Sequence, residues 1–317
     1  MCLFNCAFFI SLKRMNEVFF LSENNRTMAN ARLLAAHEDI FICPICSNPV
    51  KVVDLKSLIC SNHHCFDISK QGYVNLLSHP LRTKYDRKLF ESRAIISQNG
   101  VFDPLIARIC KIMVDELGPT STMECIKILD AGCGEGSHLP DIQQRIHEQS
   151  QHNLLGLGMD ISKDGIRIAS RRSSRAIWCV ADLAQCPFKD NQFDFILNIL
   201  SPSNYSEFHR MLADDGMVIK VIPERKYLQE LRGMFYRPTD KMVYSNEHTV
   251  ELFSRKFKVV DIQRVQYSVT IDQKYMGQLV HMTPLSWGAS QEQIQQILGM
   301  HKLEVTMDFS VLLGKKE

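Results

Sequence analysis

From residue 126 onward, apolar runs of strand length alternate with segments of helical pattern, and this alternation restricts the fold more than any other feature. The runs are "IKILDAG", "LLGLGMD", "AIWCVAD", "FDFILNIL" and "GMVIKVIP", and the segments between them include "KDGIRIASRR" and "NYSEFHRMLADD". A strand that is apolar on both sides must be covered on both, and helical crossovers supply that cover in a parallel sheet. The expected fold is therefore α/β, a doubly wound sheet. "FKVVDIQRVQYSVTI" and "LEVTMDFSVLLG" read as further strands flanking the helical "SQEQIQQILGM". With 317 residues, of which 45% are apolar, the chain can hold one large core and one small module.

The small module lies upstream, in "FICPICSNPVKVVDLKSLICSNHHCFD", residues 41 to 67. Cys43 and Cys46 form C-x-x-C and Cys60 follows after thirteen residues, a separation typical of two knuckles gripping one tetrahedral ion. His63, His64 and Cys65 all compete for the fourth position, and spacing does not choose between them. A redox C-x-x-C would leave Cys60 and His64 unexplained. Cys2, Cys6, Cys110, Cys125, Cys133 and Cys179 stand singly or in apolar surroundings, as buried free thiols do, so the chain reads as one from a reducing compartment, the cytoplasm. The formal charge of +2 does not by itself argue for nucleic acid.

In "MCLFNCAFFISLKRMNEVFFL" the apolar run is short and Lys13 and Arg14 follow it, which is the wrong order for a signal peptide. Translation is expected to begin at Met28, and no stretch approaches the roughly 20 apolar residues of a spanning helix. Residues 1–39 are thus an N-terminal extension and 40–80 the metal module. Residues 81–123 read as a linker of two helices broken at Gly100 and Pro104 and closed by Gly118 and Pro119, and 124–317 form the sheet domain.

In "ILDAGCGEGSHL" a strand ends at Asp130 and turns through Gly132, Gly134 and Gly136. Ligands of open α/β sheets bind at the carboxyl ends of strands, where glycines let the backbone approach them. The spacing G-x-G-x-G departs from the dinucleotide pattern. Asp160 ends the second strand, where it can accept from both hydroxyls of a ribose, and Asp182 follows the third, within reach of an adenine amino group. Either could instead only cap the next helix. This order of elements resembles the S-adenosylmethionine-dependent methyltransferases over residues 126 to about 223. The resemblance implies a Rossmann-like domain whose cofactor carries a sulfonium cation and no phosphate, in keeping with Glu135 in the turn.

"CPICSNPVKVVDLKSLICSNHHCFDISKQGYVNLL" is similar throughout to the zinc-ribbon-like N-terminal module of the 23S rRNA guanine-N1 methyltransferases, the RlmA family, and the likeness runs on through "YDRKLFESR", "NGVFDPL", "NILSPSNYSEFHRML", "YLQELRG" and "MTPLSWG". Alignment on Phe66 and Asp67 selects His64, which implies a closed structural zinc site of Cys43, Cys46, Cys60 and His64 in an RNA-recognition module. The resemblance further implies methylation of N1 of a guanine in a 23S rRNA hairpin, cofactor contacts from Phe102, Gly134, Glu135 and Tyr227, and a homodimer. Asn198, Ser201 and Pro202 lie in the loop where the target base should enter, although Asn198 and Pro202 also suit a plain strand-ending turn. None is a strong base, so no general base is assigned. Trp287, near His281, either stacks on RNA or packs against the sheet, and Phe102 either meets the cofactor or fills an interdomain core. Arg167, Arg171, Arg172 and Arg175, with Arg225, Lys226, Arg232 and Arg237, are candidate phosphate contacts or solvated faces, as are Lys51, Lys56 and Lys70 in the zinc module. The same fold acting on a small molecule or protein, or a noncatalytic RNA-binding protein, are the rival readings.

Overall fold

The computed structural model describes residues 23–79, 81, 84–118, 125–236 and 246–317. The expectations for Cys2, Cys6, Lys13, Arg14, Pro119 and Arg237 lie outside them. Helix α1 (Glu23–Ala36) leads into a three-stranded antiparallel sheet of β1 (Val50–Val53), β2 (Ser57–Cys60) and β3 (Cys65–Asp67). After β4 (Val74–Asn75) come α2 (Arg87–Gln98) and α3 (Asp103–Leu117). The alternating part follows as β5 (Ile126–Ala131), α4 (His138–Ser150), β6 (Leu154–Asp160), α5 (Lys163–Arg172), β7 (Ala176–Val180), β8 (Phe193–Ile199), α6 (Tyr205–Met211) and β9 (Leu212–Pro223). The tail contains α7 (Gln229–Phe235), α8 (Glu247–Ser254), β10 (Lys258–Asp272), α9 (Met276–His281), α10 (Gln291–Leu298) and β11 (Lys302–Lys315).

The large sheet has the order β10-β11-β9-β8-β5-β6-β7-β4. Strands β4 to β9 within it run parallel, and β10 and β11 are antiparallel additions, so the expected doubly wound sheet is mixed at one edge. Burial explains the difference. Along β11 a continuous run is buried, with side chains in the apolar clusters on both faces of the sheet, whereas the edge strand β10 alternates exposed and half-buried residues. β5 pairs with β6 on one side and β8 on the other, which makes its carboxyl end the topological switch point.

The helix boundaries have local causes. Asp86 accepts a hydrogen bond from the Leu89 N–H at the start of α2, and Gly100, at φ +76°, breaks the chain before α3. Ser162 and Asn204 cap α5 and α6 in the same way, and Ser290 forms a capping box with Gln293 on α10.

Helix α3, within the stretch read from the sequence as a linker, packs onto the sheet. Leu105, Ile106, Ile109, Cys110 and Met113 of α3 share one apolar cluster with Ile128, Leu139 and Ile142, so α3 is part of the layer covering one face of the sheet. The opposite face holds Leu129, Leu157, Cys179 and Ile196, and the metal module's Phe41, Leu58 and Phe66 belong to that same cluster. Phe41 stacks on Phe188 at 5.2 Å, and the Ile42 N–H donates to the Pro187 carbonyl. The module is thus joined to the sheet by β4 beside β7 and by a shared core.

Candidate active site and metal centre

Cys43, Cys46, Cys60 and His64 place one donor atom each within 4.8 Å of one another. The His64 Nδ1 lies 3.4 Å from the sulfurs of Cys43 and Cys60, and the Cys46 and Cys60 sulfurs are 3.7 Å apart. Zinc bonds of about 2.3 Å to sulfur and 2.05 Å to nitrogen give tetrahedral edges of about 3.8 and 3.6 Å, so the four residues fit a closed zinc site. Cys65 is exposed, with Asp67 as its neighbour, and His63 is exposed in a left-handed turn at φ +60°. That turn aims successive side chains apart and brings only His64 to the sulfurs.

At the switch point a cavity of about 470 Å³ opens between the glycine turn, the loop after β8 and the loop after α9. Its walls include Asp130, Gly132 and Glu135 from the turn, Phe102 and Tyr227 from the flanks, and Ser201 and Pro202 from the β8 loop. Two of the three glycines are demanded by neighbours. A Cβ at Gly132 would stand 1.8 Å from the Ser201 hydroxyl, and one at Gly136 would stand 2.5 Å from the Trp178 ring. Both residues also have left-handed φ. Asp160 accepts the Gly134 N–H at 2.9 Å and the Ser162 N–H at 2.7 Å, which ties β6 to the turn. Phe90 of α2 packs over Gly134, so the end of the groove beside Asp160 is covered by that helix. Asp160 and Asp182 both stand outside the cavity lining, and Asp182 accepts from the Ala184 N–H in its own turn.

The turn is unusually rich in buried carboxylate. Asp130 and Glu135 are each 2% exposed, and Asp130 Oδ2 and Glu135 Oε2 have no hydrogen-bond partner among the described residues. Burial, with Glu135 and Asp160 nearby, pushes the Asp130 carboxyl up to about 8. Burial also raises Glu135 and Asp160, and the Arg93 guanidinium of α2 offsets part of the rise in both. Orphaned buried oxygens are costly unless a ligand satisfies them. A cation bearing an ammonium and a sulfonium answers that need, so the residues present fit S-adenosylmethionine. Phe102 packs edge-on against His138 at 5.3 Å, belongs to the apolar cluster that contains α3, and also lines the cavity. Tyr227 packs on Phe309 at 5.1 Å.

The β8 loop is knotted. Asn198 is fully buried, and its amide donates to the Ala131 and Pro202 carbonyls while its Oδ1 accepts from Ser203 and from Lys220. It holds the loop's shape, leaving Ser201 and Pro202 to face the cavity. At the cavity mouth, Trp287 is 52% exposed and its ring lies 5.6 Å from that of Tyr85, which lines the cavity. Packing against the sheet is therefore not the role of Trp287. Arg171 in the last turn of α5 and Arg175 beyond it are exposed, while Arg172 donates to Ser137 and Arg232 to the Arg225 and Tyr227 carbonyls. Arg93, His138 and Lys220 were not anticipated as site residues. Lys220 had a legible signal, a lone charge inside the apolar "GMVIKVIP".

Comparison with known proteins gives two matching families: the RlmA N-terminal zinc ribbon over residues 41–86 and the methyltransferase domain over residues 128–216. The chain is 42% identical over 279 residues to a Bacillus subtilis (strain 168) protein named "Putative 23S rRNA (guanine-N(1)-)-methyltransferase YxjB", covering 87% of this chain and 97% of the relative. It is 29% identical to the 23S rRNA (guanine(748)-N(1))-methyltransferase of Streptomyces fradiae, covering 85% and 95% of the two chains.

Two measurements test the site. Replacing His64 with Ala should empty the zinc site and lower the melting temperature, whereas Cys65→Ser should keep one zinc per chain by elemental analysis. Because the folded Asp130 carboxyl sits above its unfolded value, its contribution to stability is full below the ordinary carboxylate range and is lost as pH rises through about 8. A cationic ligand reverses that preference, so calorimetric affinity for S-adenosylmethionine should rise with pH up to about 8, with proton release. Asp130→Asn should remove this pH dependence and weaken binding by about 10-fold or more.

Proposed function

The chain belongs to the RlmA family of 23S rRNA guanine-N1 methyltransferases, and from this we propose that it transfers the methyl group of S-adenosylmethionine to N1 of a guanine in a 23S rRNA hairpin. The observation that carries the reading is the cavity at the switch point, where unpartnered carboxylate oxygens of Asp130 and Glu135 face a loop fixed by Asn198. S-adenosylmethionine supplies an electrophilic methyl group when bound. Asp130 and Glu135 would hold its cationic end and Gly132 would let the backbone approach it, while Gly134 and Asp160 would meet the ribose side once Phe90 of α2 moves off the end of the groove. Phe102 and Tyr227 would pack against its apolar surface.

Guanine N1 lies on the base-pairing edge, so the target base must be unpaired and turned into the cavity. The protein's main contribution is then positioning, which Ser201 and Pro202 would provide from the β8 loop. Cys43, Cys46, Cys60 and His64 would hold zinc with no open coordination position, so the metal shapes the module and takes no part in the chemistry. The exposed Tyr85 and Trp287 rings suit stacking on bases beside the target. A cytoplasmic location follows from the proposed substrate, and no described helix is long and apolar enough to cross a membrane. A homodimer is proposed on the family resemblance alone.

Primer extension on 23S rRNA from cells lacking the gene tests the function, since N1 methylation blocks the pairing edge. The extension stop should vanish and return on complementation; a stop that persists unchanged refutes the substrate. Trp287→Ala should weaken binding of the hairpin transcript by about 5-fold or more, as the loss of one stacked base predicts, with S-adenosylmethionine affinity unchanged. In the wild type, RNA should quench the emission of Trp287, while Trp178 is fully buried.

A further inference from the structure

Transfer to N1 removes a proton from guanine, and neither the β8 loop nor the glycine turn offers an evident acceptor for it. The carboxylates of the turn would be taken up by the cationic cofactor, and Asn198 has no basic atom. His138 lines the cavity, but burial, with Arg93 and Arg172 nearby, holds its imidazole down to about 4, too weakly basic for the task.

The geometry points to Lys220 as the group that accepts the N1 proton of the target guanine, an inference that rests on the proposed function. Lys220 lies on β9 directly opposite Asn198 of β8, lines the same cavity as Ser201 and Pro202, and is 4% exposed. Its Nζ donates to Asn198 Oδ1 and to the Ser201 carbonyl, each at 2.5 Å. A neutral primary amine has two N–H groups and one lone pair. Both N–H groups are matched by these neutral acceptors, which leaves the lone pair as the unfilled position.

The electrostatics agree. No carboxylate lies within ion-pair distance of Lys220 among the described residues, and burial alone lowers its amine to about 8. The other titratable groups sharing the cavity are Asp130, Cys133 and Glu135 of the turn, Arg93 of α2, His138 of α4, Tyr205 of α6, Tyr227 after β9, and Tyr85 at the mouth. A bound sulfonium in the same cavity would disfavour a second cation and so favour the neutral amine. In the step, the N1 electron pair forms the bond to the methyl carbon and the carbon–sulfur bond breaks with its pair going to sulfur. The N1 proton passes to the Lys220 lone pair, giving an ammonium that returns the proton to water after product leaves. Asn198 is a positioning residue in this account, because its Oδ1 fixes the amine.

Single-turnover methyl transfer by the zinc-loaded full chain to an unmodified hairpin transcript, followed from about pH 6 to 9.5, tests the assignment. The wild-type rate should rise with pH and level off at one inflection. Lys220→Met should lower the rate by about 10²- to 10⁴-fold, with cofactor and RNA affinities little changed and no plateau in its pH profile. Lys220→Arg, which keeps the donors and lacks a usable lone pair, should be as slow. A plateau retained in Lys220→Met, or near wild-type rates in Lys220→Arg, would overturn the proposal. Should Lys220→Met fail to fold, the wild-type profile decides, since a rate independent of pH also overturns it. A wild type that binds the transcript but transfers no methyl group refutes the proposed function itself.

Discussion

The indole of Trp178 occupies the space that side chains at positions 136 and 158 would need, and much of the site depends on it. A Cβ at Gly158 would stand 2.3 Å from the ring and one at Gly136 2.5 Å, and the ring is held by burial and by its Nε1 donating to the Ser173 carbonyl at 3.0 Å. One side chain from β7 thus reaches across β6 and supports the turn after β5 from beneath. With the turn resting on this ring, the Gly134 N–H meets Asp160 and the Gly132 backbone meets the β8 loop at Ser201. Losing such a buried ring typically costs about 3–5 kcal/mol. Here it would also release the turn that carries Asp130 and Glu135.

The zinc module is positioned by the same economy of contacts. Its own core is small, and modules of this size draw folding free energy from the metal. Phe41 on Phe188 and β4 beside β7 then extend that local order into the large sheet, so the metal fixes strands that share a core with β5 and β6. A closed metal site outside the cavity can therefore influence substrate presentation through rigidity, with no ligand exchange.

Strand identities in the centre of the sheet were legible because burial on both faces writes a continuous apolar run, as in "FDFILNIL" for β8. The edges were not. β4 is two residues long, Val74–Asn75, and no periodicity marks so short a strand. The helices α2 and α3 were legible as helices, but which layer they join depends on contacts with residues distant in sequence. In the site, Cys43, Cys46, Cys60 and the glycine turn could be read because their spacing is local, whereas His64 was selected from its neighbours by the family resemblance and not by spacing. Asn198 was legible as a residue of the loop, yet its saturation by Ala131, Pro202, Ser203 and Lys220 involves residues up to 67 positions away. Asp182 closes its own turn by accepting from the Ala184 N–H, and no helix lies between β7 and β8 for it to cap.

The two sides of the cavity carry opposite electrostatic instructions. On the β5 side, carboxylates are crowded together and their proton affinities rise, so the cluster is relieved by a bound cation. On the β9 side, a lysine is buried without an acid and its proton affinity falls, so it is relieved by staying neutral. Had the lysine paired with Asp130, each would have been charged and satisfied, and neither would need a ligand. Instead the sheet separates them, with Asn198 and Ser201 supplying the amine with neutral acceptors. The separation has a cost in stability, because buried ionisable groups left unpaired are unfavourable. Environments that push titratable groups apart in this way are what a site needs when it must hold a cation at one wall and receive a proton at the other.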